Sequence, residues 1–175
     1  MYLITAYFDE TTNKRLSHLL EEIADKTGND FMTKNHVPPH LTIASFEQRS
    51  DEVALSLFEG VKKRAEGGEI FISSVGVFFP YVIYAEAVQN KYLQDLNQLV
   101  FEEISEHGDT IVSKFYQPMQ WIPHITLGKK LSTEQMRLAF QILQEKFSPM
   151  EAKIVSFGLA KPNPHRDFDF FEIKE

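Results

Sequence analysis

Pro39-His40-Leu41-Thr42-Ile43 and Pro123-His124-Ile125-Thr126-Leu127 are two copies of one phrase, proline, histidine, aliphatic, threonine, aliphatic, with their histidines 84 positions apart. Side chains alternate faces along an extended strand, so in each copy the histidine and threonine project to one side and the two aliphatics to the other. Each copy offers one imidazole and one hydroxyl to a common surface. A single copy would arise by chance in on the order of one in a thousand chains of this length and composition, and a second makes coincidence a poor explanation. Alone, either histidine reads as a strand-end side chain satisfied locally and either threonine as an ordinary strand former. Repetition points instead to one active site built from two halves.

Outward from the first copy, Val37-Pro38-Pro39 forces an extended entry, because a residue before proline avoids the α region and proline cannot donate to an inner ladder. A strand is therefore expected from His40 to Phe46. Before it, Tyr2 to Phe8 reads as a strand, and Leu16, Leu19, Leu20 and Ile23 line a helix capped by Thr11 or Thr12 and stopped by Gly28. After it come a helix over Asp51–Arg64, broken by Gly67-Gly68, and a strand over Glu69–Phe78. Tyr81–Val88 reads as a strand, Lys91–His107 as an amphipathic helix closed by Gly108, and Gln117-Pro118 as a loop leading to Trp121-Ile122-Pro123 and the second motif strand. Ser132 or Thr133 caps a helix over Glu134–Phe147, and strands near Ala152–Leu159 and Phe168–Ile173 end the chain.

Residues 2–78 thus give strand, helix, motif strand, helix, strand, and the stretch from 81 repeats that order. The expectation is a single domain over 1–175 with two similar lobes, roughly 1–78 and 81–175, facing each other across a cleft. At 175 residues, 43% apolar and 13% aromatic, the chain can fill one core. No apolar run approaches the ~20 residues of a membrane span, and Met1–Glu10 lacks a basic leader region, so a soluble cytoplasmic monomer is expected. Cysteine is absent, which excludes disulfides, thiolate nucleophiles and cysteine-based zinc sites. A net charge of −7 disfavours a grip on extended DNA or RNA but permits a small anionic ligand in a locally positive cleft.

Paired imidazoles suit general acid and base work near neutrality, and paired hydroxyls suit hydrogen bonds to the non-bridging oxygens of a phosphorus centre under attack. The substrate that fits is a phosphodiester. The doubled His-x-Thr-x pattern, each copy after proline and opening a strand, resembles the 2H phosphoesterases, which include 2′-5′ RNA ligase-like proteins and cyclic phosphodiesterases. The resemblance spans essentially the whole chain. It implies an α+β fold in which two antiparallel sheets with outer helices flank a V-shaped groove. It makes His40, Thr42, His124 and Thr126 the catalytic quartet, with no metal and no nucleotide cofactor. It also implies a substrate-binding role for Lys129, which stands where family members more often carry arginine, and for Tyr84, in the stretch similar to the start of the family's second lobe. The activity implied is hydrolysis of a cyclic phosphate or 2′-5′ linkage of a nucleotide or short RNA end. One histidine activates water and the other protonates the leaving ribose oxygen.

Of the remaining histidines, His36 is expected in a loop, His18 on a helix flank, and His107 in a last helical turn that complements the helix dipole. His165, in the turn Lys161-Pro162-Asn163-Pro164-His165-Arg166, is left out of the site. Two other functions compete. A metallohydrolase would use both histidines as zinc ligands but needs a third, and neither motif contains an acid. A binding module would recognise phosphorylated ends without turnover. RNA joining would be the same chemistry reversed.

Overall fold

The structure is a computed structural model that describes residues 1–162 and 164–173. Its elements in chain order are β1 (Tyr2–Phe8), α1 (Glu10–Thr27), α2 (Phe31–Lys34), β2 (Leu41–Glu47), α3 (Asp51–Arg64), β3 (Gly68–Phe78), β4 (Val82–Ala87), α4 (Lys91–Ser105), β5 (Ile111–Val112), β6 (His124–Gly128), α5 (Thr133–Lys146), β7 (Met150–Lys161) and β8 (Arg166–Glu172). Asp9, and not Thr11 or Thr12, caps α1. Its carboxylate accepts from the Thr12 backbone N–H at 2.9 Å and from the Thr12 hydroxyl at 2.7 Å. Ser132 caps α5 in a reciprocal arrangement with Gln135. α4 stops at Ser105, so His107 lies beyond the helix and not in its last turn. The short α2 and β5 gave no periodic signal, being too brief to show one.

All strand pairs are antiparallel, in the order β5-β2-β1-β7-β3-β4-β6, with β8 also pairing β7. β7 is longer than its sequence suggested because it serves two branches. Along one edge it pairs with β1 from Ile154 to Ala160; along the other it pairs first with β3 over Met150–Ile154 and then with β8 over Ser156–Lys161. The two sheets expected beside the groove are hydrogen-bonded through β7 into one forked sheet.

The chain halves exchange elements. β3, from residues 68–78, pairs with β4, whereas β7 and β8 from the far end of the chain complete the sheet around β1 and β2. Spatially the lobes are therefore β5-β2-β1-β7-β8 and β3-β4-β6, and they are not the contiguous spans 1–78 and 81–175. Each central strand, β1 or β4, has two edges; its own motif strand takes one and the other half's last strand takes the other. Helices cross as well, since α1 packs on β6 and α5 while α4 packs on β2 and α3. Fully buried Leu16 and Ile23 of α1 and Leu93, Val100 and Ile104 of α4 join Ile4, Ala6, Ile83, Ala85 and Ile125 of the sheet in the core. Among the described residues no helix is long and apolar enough to cross a membrane.

The two motif strands share a register. Thr42 pairs with Thr5, which pairs with Gly158; Thr126 pairs with Tyr84, which pairs with Gly76. In both ladders the register slips immediately after the threonine, so that Ile43 and Leu127 are the extra residues of matching bulges. Such a bulge bends its strand and re-aims the side chains before it. The carbonyls it displaces at the first motif are both captured: Trp121 Nε1 donates to Thr42 O at 3.0 Å, and Asn97 Nδ2 donates to Ile43 O at 3.1 Å and to Tyr116 O at 3.0 Å. Trp121 and Asn97 are each 2% exposed. The segment that delivers the second motif is in this way pinned to the first.

Asn97→Ala strands the buried carbonyl of Ile43 and the part-buried one of Tyr116, and is expected to lower stability by about 1–3 kcal/mol, read from the urea midpoint of the purified variant. An unchanged midpoint would show that the clamp contributes nothing.

Candidate active site

His40 is the residue before β2 and His124 the first residue of β6. Both rings make the same local bond, from Nδ1 to the carbonyl two residues back: Pro38 O at 2.8 Å and Ile122 O at 2.8 Å. A carbonyl oxygen only accepts, so the hydrogen sits on Nδ1, and a neutral ring keeps the lone pair of Nε2 free. Both rings are held below the usual imidazole range. Burial pushes His40 down to about 4, with His165, His124 and Lys129 adding positive neighbours that oppose a further charge. Burial also lowers His124, against the pull of the Ile122 carbonyl. The two motif strands β2 and β6 lie in contact, which brings the second motif beside the first, and His124 and Lys129 both oppose a charge on His40.

The threonines stand on the same faces as their histidines. Thr42 is buried beside the hydroxyl of Tyr116, and Thr126 is half-buried in register with Tyr84. Lys129 is exposed, its Nζ 5.9 Å from the centre of the Phe31 ring. Tyr84 is buried, its ring 4.3 Å from Phe78 and 5.3 Å from His124 between centres, and Phe78 meets His124 edge-on at 4.8 Å. Tyr84 lies flat on Gly76. A Cβ there would fall 2.4 Å from the tyrosine ring, so only glycine permits the contact. Beside His124 opens a cavity of about 550 Å³ lined mainly by Val77, Phe78, Phe79, Phe115, Tyr116 and Ile122. Phe79 is 87% and Phe115 67% exposed, a large apolar offering for a protein surface.

The other histidines separate cleanly. His18, His36 and His107 are exposed, His36 in a left-handed turn with φ 50° after α2. His165, which the sequence reading set aside, lies with its ring centre 4.9 Å from that of His40. Asn163 of its turn lies outside the described residues. Tyr7 is a second omission: its ring is 6.4 Å from His40, and its hydroxyl reaches both His165 and Asp167. Alternation along β1 places Tyr7 on the face of Thr5, so its direction was available from sequence although its partners were not. Among the described residues no three His, Cys, Asp or Glu side chains are grouped so as to hold a metal ion.

The arrangement presents two neutral imidazoles with free Nε2 atoms, two hydroxyls and one flexible cation, flanked by an aromatic cavity. The family model for the 2′-5′ RNA ligase superfamily matches residues 12–166. The chain belongs to the 2′-5′ RNA ligase superfamily. No curated protein sequence matches this superfamily member. Among solved structures, Escherichia coli LigT in its apo form superposes with a TM-score of 0.67 at 15% identity over 99% of this chain and 97% of that one. LigT complexed with 3′-AMP gives 0.66 at 14% over 99% and 98%. The Thermus thermophilus protein TT0787 gives 0.65 at 17% over 98% and 97%. At these identities the superposition carries the 2H phosphoesterase fold.

Because His40 titrates lower in the native state than in the unfolded chain, the native state binds fewer protons between about pH 6.5 and 4. Stability is then full above pH 6.5 and falls as pH drops toward 4, by up to ~1.4 kcal/mol per unit. Urea midpoints measured across that range should show the fall, and His40→Gln should flatten it; an identical slope in the variant would contradict the assignment.

Proposed function

We propose that this protein is a metal-independent phosphodiesterase that opens a cyclic phosphate, or cleaves a 2′-5′ linkage, at the end of a nucleotide or short RNA. The observation that carries the proposal is the pair of imidazoles, His40 and His124, each tied at Nδ1 to a backbone carbonyl and each leaving Nε2 free. Fixed tautomers are what a proton-transfer pair requires.

In the step proposed, Nε2 of one histidine takes a proton from water as the water oxygen bonds to phosphorus. The bond from phosphorus to one ribose oxygen breaks, and that oxygen receives a proton from the other histidine, leaving a phosphomonoester. The acid histidine enters carrying its proton, because an anionic phosphate favours the charged form of a neighbouring imidazole. Thr42 and Thr126 donate to the non-bridging oxygens, and Lys129 supplies a mobile positive charge in place of a rigid guanidinium fork. The aromatic cavity beside His124, with Phe79 and Phe115 at its mouth, suits stacking of a nucleobase. LigT, which shares the fold, has been crystallised with 3′-AMP, ATP, NADP+ and phosphate, and this supports a phosphorylated nucleotide as ligand here. A net charge of −7 favours a short substrate over a long polyanion.

The test is a panel of 2′,3′-cyclic nucleotides and 2′-5′ oligoadenylates with and without chelator. Turnover should persist in EDTA. His40→Ala and His124→Ala should each lower kcat/KM by about 10²–10⁴-fold, and Thr42→Val or Thr126→Val by about 10²-fold. Binding of the same compounds without turnover by the wild type would replace the enzyme with a recognition module, and loss of turnover in chelator would reject the two-histidine mechanism.

A further inference from the structure

Asp167, Tyr7 and His165 form a hydrogen-bonded chain that ends against the His40 ring. Tyr7 Oη lies 2.6 Å from Asp167 Oδ1 and 3.0 Å from His165 Nε2. Burial, reinforced by Asp167, pushes the Tyr7 hydroxyl well above its ordinary range, so it keeps its single hydrogen. That hydrogen goes to the carboxylate, which can only accept. Tyr7 oxygen then accepts from His165, and this places the His165 hydrogen on Nε2. The His165 side chain is 6% exposed, and its ring packs over His40 at an interplanar angle of 34°.

Among the described residues the second half of the molecule shows no such chain. On the central strands Tyr7 pairs with Ser156 where Glu86 pairs with Ser74, so Glu86 is the counterpart of Tyr7. The rings packed on His124 are Phe78 and Tyr84. Two imidazoles with identical local anchors therefore have different backing.

We infer that His165, held by Tyr7 and Asp167, is a positioning residue for His40: it fixes the plane of the His40 ring and takes up the proton that would otherwise settle there, so that His40 stays neutral. The inference rests on the proposed reading of His40 as one of the two working imidazoles. Two rings this close cannot both carry a charge cheaply, so they titrate as a pair. The charged surroundings decide which ring takes the first proton. On the His165 side stands the Asp167 carboxylate, 3.8 Å from Nε2. On the His40 side stand His124 and Lys129, both of which oppose a positive charge. Phe170, whose ring is 5.8 Å from that of Tyr7, and the Thr5 hydroxyl beside the tyrosine are both uncharged. A proton entering the pair thus meets a counter-ion at one end, and at the other the Lys129 cation and a second imidazole that competes for the same charge. Burial lowers His165 as well, but Asp167 raises it, whereas His40 is raised only by the Pro38 carbonyl.

The experiment is a ring-selective NMR titration of the full-length, ligand-free protein. In the wild type His165 should take its proton at higher pH than His40. His165→Phe keeps a flat ring against His40 but holds no proton, and should raise the His40 midpoint by about one pH unit. Asp167→Asn, at an exposed position, should shift it in the same direction by less, while the His124 midpoint stays in place in both variants as the control for folding. With 2′,3′-cyclic AMP as substrate, the acidic limb of kcat/KM should move by the same amount in His165→Phe. A His40 midpoint within ~0.3 unit of wild type in both variants, or a wild-type His40 that protonates before His165, would overturn the positioning role. If the wild type turns over no cyclic phosphate, the proposed reaction fails, and the titration alone still decides whether His165 governs His40.

Discussion

The geometry depends on β7 having to satisfy three neighbours with two edges. β1 takes one edge over most of its length, and β3 and β8 divide the other between them. Backbone groups inside a sheet must be paired, so the strands that begin the two branches leave β7 in succession and diverge. The branches carry the two motif strands, β2 beyond β1 and β6 beyond β4. The separation of the imidazoles is therefore set by a continuous ladder of hydrogen bonds, with a second tie where Trp121, two residues before Pro123, donates to the carbonyl of Thr42. A site divided between freely hinged lobes would lose the orientation on which proton transfer depends.

Within that frame the duplication repeats backbone and varies side chains. The bulge after each threonine, the Nδ1 bond to the carbonyl two residues back, and the glycine opposite the central-strand residue recur in both halves. What differs is the wall behind each ring. Apolar aromatics behind His124 continue into a cavity that accepts flat, weakly polar groups, whereas the wall behind His40 carries hydrogen bonds that end in a carboxylate. Equal backbones with unequal walls give two chemically distinct imidazoles.

The acidic average of the chain and its site are compatible because they act over different distances. Twelve of the 25 acids sit on the outer helices, where several pair with lysines and arginines, such as Glu10 with Lys14 and Asp95 with Lys91, and solvent screens them. In the cleft the nearby groups of positive tendency are imidazoles and Lys129, and burial holds His40 and His124 neutral until an anion arrives. Neutral, half-buried histidines make the fold sensitive to acid, and the same property leaves Nε2 free to accept a proton.

The sequence by itself determined the local conformations and directions. Proline before each histidine required an extended start, alternation put His40 with Thr42 and His124 with Thr126, and 3.6-residue periodicity marked the four long helices. These follow from backbone sterics and from the face a segment must bury, which neighbouring residues dictate. Asp9 as the cap of α1 was missed because Thr11 and Thr12 compete for that role in sequence, and only the turn out of β1 shows which residue faces the free N–H groups. Only the tertiary structure decided the partners. Periodicity says that β1 and β4 have two edges to fill but not that each is filled by the other half's last strand. Nothing local to Pro164-His165-Arg166 says that the β7–β8 turn folds back onto His40. Such contacts are selected by competition among all strands for unpaired edges and all side chains for burial, and that competition is settled only when the whole chain packs.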